Sequence, residues 1–158
     1  MSNNMTFKIE DSSLEKLKEN SINLNKSTDE LNKIITEIEN RLIDMKLGVT
    51  AWVEKPVVIN SIDGEDREYF IGFTRFNFDW RIVSMIKKDN KPSKNIVPLL
   101  YTNRVVRMAA CSVLEDLILA LNEKTEKFIS DVNNAKNLVE KSEIVKNLLN
   151  DDNKNIEE

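Results

Sequence analysis

Histidine is absent from the 158 residues, so the chain lacks the commonest general base and the commonest metal ligand of proteins. The single cysteine, Cys111, cannot form a disulfide within the chain, and its small apolar neighbours predict a buried, inert thiol. Only three glycines and three prolines occur, which favours long helices and strands over a loop-rich fold. No glycine-rich motif precedes a helix, which excludes both the P-loop and the dinucleotide-binding fingerprint.

Long apolar runs are also missing. No run approaches the roughly 18 residues that cross a bilayer, so we expect no transmembrane helix. Residues 1–11 are polar and lack the basic-then-apolar pattern of a signal peptide. With one cysteine, this composition predicts a reducing, cytoplasmic setting. Heavy use of Asn, Lys and Ile indicates an AT-rich genome, such as that of a low-GC bacterium or its phage.

A regular apolar repeat occupies the first part of the chain. Between Leu14 and Met45, apolar residues recur at alternating steps of three and four, with Ser21 and Thr28 as polar interruptions. This spacing predicts a long helix with a coiled-coil-like seam that ends at Gly48 in the left-handed conformation. Few acid–base pairs flank the seam. Its partner is therefore either the protein's own second helix or another copy of the chain.

Strand patterns follow the first helix. Residues 49–60 are rich in β-branched side chains, but Pro56 divides them and predicts an edge strand. Asp63-Gly64 is a strong hairpin-turn signal, and two further strands are predicted at 67–76 and 80–88. Residues 87–93 form a polar, basic loop in this interpretation, which ends the sheet.

A second helical region is predicted from about Thr102, with Thr102 or Asn103 as its cap. Asn133-Asn134 and Ser142 are candidate break points, because such residues prefer helix caps to helix interiors. The predicted fold is α+β, with two long amphipathic helices flanking a three-stranded antiparallel β-meander (α-β-β-β-α). Its domain division is a disordered leader at 1–12, one domain at 13–149 and an acidic tail at 150–158.

The helix lengths predict self-association. At 1.5 Å per residue the first helix is about 50 Å long and the second, if unbroken, about 70 Å. A compact globule of this size is about 40 Å across, so the apolar stripes extend beyond it. A homodimer is the expected assembly, since two-fold dimers are the commonest. The residues assigned to the self-association seam are Leu24, Leu31, Ile35, Ile38, Leu42, Leu117, Leu121 and Phe128.

Basic and aromatic residues concentrate between Arg67 and Met108, where nine basic residues face three acidic ones and seven of the ten aromatics occur. Arginine beside aromatic rings is typical of sites that bind phosphates and stack bases. The candidate anion-binding residues are Arg75, Arg81, Arg104 and Arg107, with Trp80 or Tyr101 stacking on the ligand. The alternative is structural: the aromatics pack under the helices, and the arginines pair with glutamates of the acidic helices.

Two classes of function remain. The first is a non-enzymatic protein that self-associates through its helices and binds a protein partner, as an adaptor, a chaperone-like factor or an inhibitor. The second is a sensor or sequestering module that binds an anionic small molecule such as a nucleotide. No cofactor is predicted, and the acidic cluster near Asp63 lacks the spacing of a calcium loop. The acidic pI of about 5.1 argues against nucleic acid as a partner.

Overall fold

The computed structural model describes residues 11–60, 66–88 and 91–154. The first helix, α1, spans Asp11–Asp44, and the left-handed backbone of Lys46 (φ 51°) and Gly48 (φ 62°) ends it, as predicted for the glycine. Most of the predicted leader and the last residues of the predicted tail lie outside the described residues, as does the Asp63-Gly64 turn. Within the described ranges, no helix is both long and apolar enough to cross a membrane.

The described part of the chain forms an antiparallel sheet of five strands, so the mixed α+β class is confirmed and the three-stranded arrangement is wrong. The strands are β1 (Ala51–Trp52), β2 (Val57–Asn60), β3 (Asp66–Phe76), β4 (Asp79–Lys88) and β5 (Lys91–Pro98). Strand β3 pairs with β1 and β2 on one side and with β4 on the other, and β5 extends the sheet beyond β4.

Two features account for the additional strands. The predicted edge segment 49–60 becomes two short strands because residues 54–56, which include Pro56, interrupt its pairing with β3. Strand β5 begins inside the predicted basic loop, because Lys91 already pairs with Lys88 of β4. Farther along, Ile96 and Val97 pair with Met85 and Ser84. Pairing therefore overrides the polar composition of the segment.

The two faces of the sheet differ. Tyr69, Ile71 and Phe73 of β3 alternate toward the helices and belong to the buried core. On the opposite face the Trp52 ring covers Gly72, so closely that a Cβ at residue 72 would lie 2.5 Å from the ring. Glycine at this position thus leaves room for the indole.

A helical region follows β5. Leu99–Tyr101 form a 3₁₀ turn, α2 spans Arg104–Ala110, a second 3₁₀ turn covers Cys111–Val113, α3 spans Leu114–Lys141 and α4 spans Glu143–Lys154. Asn103 caps α2, since its side chain accepts a hydrogen bond from the Val106 amide at 3.0 Å. The break falls at Ser142, whose backbone is extended (ψ 114°), and α3 is continuous through Asn133-Asn134.

Side chains from both long helices and the sheet form one core. From α1, Ile35 and Leu42 are buried, and Leu117 and Leu121 of α3 lie in the same cluster. The helix α1 contacts β4 and the 3₁₀ turn after β5, whereas α3 contacts β1 and β3. Each long helix therefore packs on the sheet with only about half of its length.

Candidate functional site

The apolar seam of α1 continues beyond the body of the protein. Its second half is covered: Ile35 and Leu42 are buried, and Leu31 is partly buried. In the first half every residue from Asp11 to Ser27 is exposed, including Leu17 (63%) and Leu24 (50%) of the seam. The same helical face thus contributes to the core at one end and meets solvent at the other.

Helix α3 shows the reverse order: the first half of its apolar stripe is covered and the second half is exposed. Leu117 and Leu121 are buried, but every residue from Glu126 to Lys141 is exposed. The exposed stretch carries Phe128 (51%), Val132 (61%) and Val139 (49%) at the same heptad spacing. We call the exposed stretch Glu126–Lys141 the distal segment of α3. Of the predicted seam residues, therefore, Leu24 and Phe128 are exposed, while Leu31, Ile35, Ile38, Leu42, Leu117 and Leu121 pack in the chain's own core.

A buried carboxylate fixes α1 to the edge of the sheet. Glu39 is 2% exposed, and its two oxygens accept hydrogen bonds from the Arg81 guanidinium (3.0 Å) and from the Ile82 amide (2.8 Å). Pairing between β4 and β5 ends at Val83 and Pro98, one residue away. The carboxylate thus takes the Ile82 donor where the neighbouring strand has ended, and the ion pair compensates its buried charge.

Among the predicted anion-binding residues, the structure brings Arg81 and Tyr101 together. The Arg81 guanidinium lies 5.7 Å from the centre of the Tyr101 ring and donates a hydrogen bond to its hydroxyl at 3.2 Å. Arg107 bonds the backbone on both sides of this tyrosine, through the carbonyls of Leu100 and Thr102. These contacts tie the 3₁₀ turn to β4 and α2.

The remaining predicted residues have other neighbours. Arg104 donates to the Asn25 side chain of α1 at 3.3 Å. Arg75 donates to the Phe78 carbonyl in the turn between β3 and β4. Trp80 stacks on Phe73 with the ring centres 5.5 Å apart. Each of the four arginines therefore has a partner within the chain, and for Arg81 it is a glutamate of an acidic helix, as in the structural alternative.

Sequence reasoning missed Glu39. The available signal was its position, because it lies between Ile38 and Leu42 of the seam and next to the face that carries Ile35. An acid so placed in an apolar stripe requires a buried partner or a bend of the helix out of the core. The partner is 42 residues away in the sequence, so only the fold reveals it.

Cys111 is exposed, which corrects the prediction of a buried thiol. It follows α2 directly, and its Sγ donates to the Arg107 carbonyl at 3.3 Å. Partial desolvation raises the pKa of the thiol above its usual value of 9.0. The thiol is thus protonated at neutral pH and is a poor nucleophile there.

A groove of about 520 Å³ separates residues 51–55 from α3. Trp52, Leu119 and Ala120 supply its apolar wall, and acidic and lysine side chains share its rim. Among the described residues there is no cluster of three acidic or cysteine side chains suited to a metal ion. The groove therefore combines an apolar wall with a rim of mixed charge.

No protein-family model, curated protein or solved structure matches this chain.

Proposed function

We propose that the protein is a non-enzymatic interaction protein that self-associates through its long helices and binds a protein partner. One observation carries this proposal: the apolar seams of α1 and α3 continue beyond the body and remain exposed there. An amphipathic helix in water normally buries its apolar stripe. Since none of the residues that the structure describes covers these stripes, another chain is the natural partner.

The apolar surface exposed on these helices is large in total and is divided among separate stripes. Twelve large apolar side chains on the first half of α1, the second half of α3 and α4 are 41–82% exposed. At on the order of 70–100 Å² each, they leave about 800–1,200 Å² of apolar surface in water. Summed over the three helices, this surface exceeds the roughly 300–600 Å² of the largest single patch on a typical monomer.

The two stripes also allow two kinds of contact. Leu17 and Leu24 lie on one helix, and Phe128 and Val132 lie on another. One stripe is sufficient to bind a second copy of the chain. The other stripe can then bind a different protein. The stripe of α1 is interrupted by Ser21 and Thr28 and is flanked by few acid–base pairs, so it favours a partner helix that supplies its own specificity.

Binding of an anionic small molecule is the second candidate function. Its support is local: the Nε atoms of Arg104 and Arg107 are buried without a hydrogen-bond partner among the described residues. One terminal nitrogen of each guanidinium already bonds within the chain: Arg104 Nη2 donates to Asn25, and Arg107 Nη1 donates to the carbonyls of Leu100 and Thr102. The contacts therefore favour a structural role for these arginines over an open anion site.

Light scattering of purified protein tests the first proposal. We expect a mass of at least twice the chain mass of 18.3 kDa for the wild type. The double variant Phe128→Glu, Val132→Glu should be monomeric, because it places charge on the exposed stripe. The matched control Ser130→Glu, Asn137→Glu adds the same charge to the opposite side of α3 and should keep the wild-type mass. A monomeric wild type at high concentration would refute self-association.

Partner binding has its own test, which uses α1. Proteins that the wild type captures would be identified and purified. Calorimetry would then measure the affinity of each for the wild type and for the variants. We expect Leu17→Glu, Leu24→Glu to lose that binding and the outward-facing control Asn23→Glu, Lys26→Glu to retain it. Equal affinity for all three chains would exclude the α1 stripe as the binding surface.

A further inference from the structure

We propose that two copies pair through the distal segment of α3 in antiparallel orientation, with a two-fold axis between Asn133 and Asn134. This inference rests on the proposed function and specifies the surface, the partner and the register. It assigns the α3 stripe to a second copy of the chain, which leaves the α1 stripe to other proteins.

The limits of the distal segment define the register. On its body side lies Thr125, which is half-buried and bonds the Leu121 carbonyl; on its far side Ser142 breaks the helix. Every residue between them is exposed. Asn133 and Asn134 are the midpoint of this stretch. An antiparallel pair about the midpoint therefore covers the whole stretch in both copies and brings Thr125 level with Ser142 of the second copy.

The same register matches the apolar residues. Phe128 lies as far before the midpoint as Val139 lies after it, and Val132 and Ala135 are related in the same way. Each copy thus places Phe128 against Val139 of the other, and Val132 against Ala135. These are the a–d layers of an antiparallel coiled coil, in which a larger and a smaller side chain share each layer.

Packing in the body excludes the parallel alternative. Leu117 and Leu121 lie on the same face of α3 as Phe128 and Val132, and the chain's own core covers them. In a parallel pair, the second helix would have to occupy that covered space beside Leu117. In the antiparallel pair, α3 of the second copy ends at Lys141, level with Glu126, before it reaches the body. The break at Ser142 ends the straight path of α3 at this level.

Paired cysteines test the register. Both chains would carry Cys111→Ser. One would add Phe128→Cys, the other Val139→Cys, and tags of different length would distinguish them. Each chain would be oxidised alone and after mixing with the other. We expect a disulfide in the mixture between chains of different length, and none in either chain alone. In the antiparallel pair, two copies of the same position are about 16 Å apart along the axis, whereas a disulfide requires Cα atoms within about 7 Å.

Controls separate the register from the wider proposal. Ser130→Cys mixed with Asn137→Cys occupies level but outward-facing positions and should give no disulfide. Light scattering under reducing conditions would verify that each cysteine variant keeps the wild-type mass. A disulfide formed by Phe128→Cys alone would show a parallel pair, and dimers without any disulfide would show another surface; either result overturns this register. A monomeric wild type would instead overturn the proposed function itself.

Discussion

Replacing Glu39 with alanine should destabilise the fold far more than replacing a neighbouring glutamate of the same helix. The Glu39 carboxylate is 2% exposed, and the Arg81 side chain that it pairs with is 28% exposed. Removing one partner of a buried ion pair costs about 3–5 kcal/mol. Because Arg81 keeps some access to water, we expect about 2–4 kcal/mol for Glu39→Ala, which includes the loss of the acceptor for the Ile82 amide. A domain of this kind has about 5–15 kcal/mol in total.

The matched control is Glu37→Ala. Glu37 pairs with Arg41 at 2.8 Å on the same helix, but its side chain is 63% exposed, so the expected cost is below about 1 kcal/mol. Glu39→Gln should fall between the two alanine variants, because the amide oxygen can still accept from Ile82 while the charge is lost. Urea unfolding at one fixed protein concentration measures all three, since association shifts apparent stability.

A double-mutant cycle separates the ion pair from the amide contact. Arg81→Met removes the guanidinium and retains most of the side-chain volume, and the combined variant should show a coupling energy of about 1–3 kcal/mol with Glu39→Ala. The reasoning would be refuted if Glu39→Ala cost no more than Glu37→Ala, or if the coupling were within error of zero. The first result would mean that the carboxylate does not fix α1 to β4, and the second that its ion pair with Arg81 adds no measurable stability.

Three further predictions concern other parts of the molecule. The double variant Arg104→Ala, Arg107→Ala should have a lower melting temperature, because Arg107 bonds the backbone carbonyls of Leu100 and Thr102. Nucleotides or phosphate should shift the melting temperature of neither the wild type nor this variant. Stabilisation of the wild type alone would favour an anion site. Gly72→Ala should lower the free energy of unfolding in urea by about 1–3 kcal/mol, since its Cβ would overlap the Trp52 ring. Adding Trp52→Ala should relieve most of that cost. An unchanged unfolding midpoint for Gly72→Ala would contradict the overlap. Cys111 should react slowly with a thiol reagent at pH 7 and faster as the pH rises past 9, because its raised pKa keeps the thiol protonated; a rate that levels off below pH 8 would contradict this.

Local sequence patterns were sufficient to predict α1 and the cap of α2. The steps of three and four from Leu14 to Met45 predict α1, and Gly48 adopts the left-handed backbone expected of it. Asn103 is the cap of α2, one of the two predicted candidates. These features depend on side-chain spacing and backbone preference within a few residues, which a sequence displays directly.

Features that depend on long-range pairing were harder to predict from the sequence. Strand β5 contains lysines and a proline in its first half, and only its hydrogen bonds with β4 make it a strand. The break in the second helical region falls at Ser142, whereas Asn133-Asn134 stay helical. Intrinsic preferences for helix or loop are small for asparagine and serine, so the surroundings decide between such positions.

The candidate site shows the same division. The continuation of both stripes beyond a compact body followed from helix length alone, and Leu24 and Phe128 are exposed as that argument requires. Which arginine meets which acid did not follow, because Glu39 and Arg81 are joined only when α1 lies against β4. Charge counts identify a basic segment, but the pairing of Arg81 with Glu39 is a property of the tertiary structure.

Hydrogen exchange of the full chain at high concentration tests the central claim most directly, because it reports on the distal segment of α3 itself. An exposed stretch of helix that packs on nothing opens readily and exchanges quickly. We predict that amides between Phe128 and Val139 are protected in the wild type and in Ser130→Glu, Asn137→Glu, and that Phe128→Glu, Val132→Glu loses this protection. Fast exchange of these amides in the wild type, equal to that in the charged variant, would show that no second chain covers the stripe.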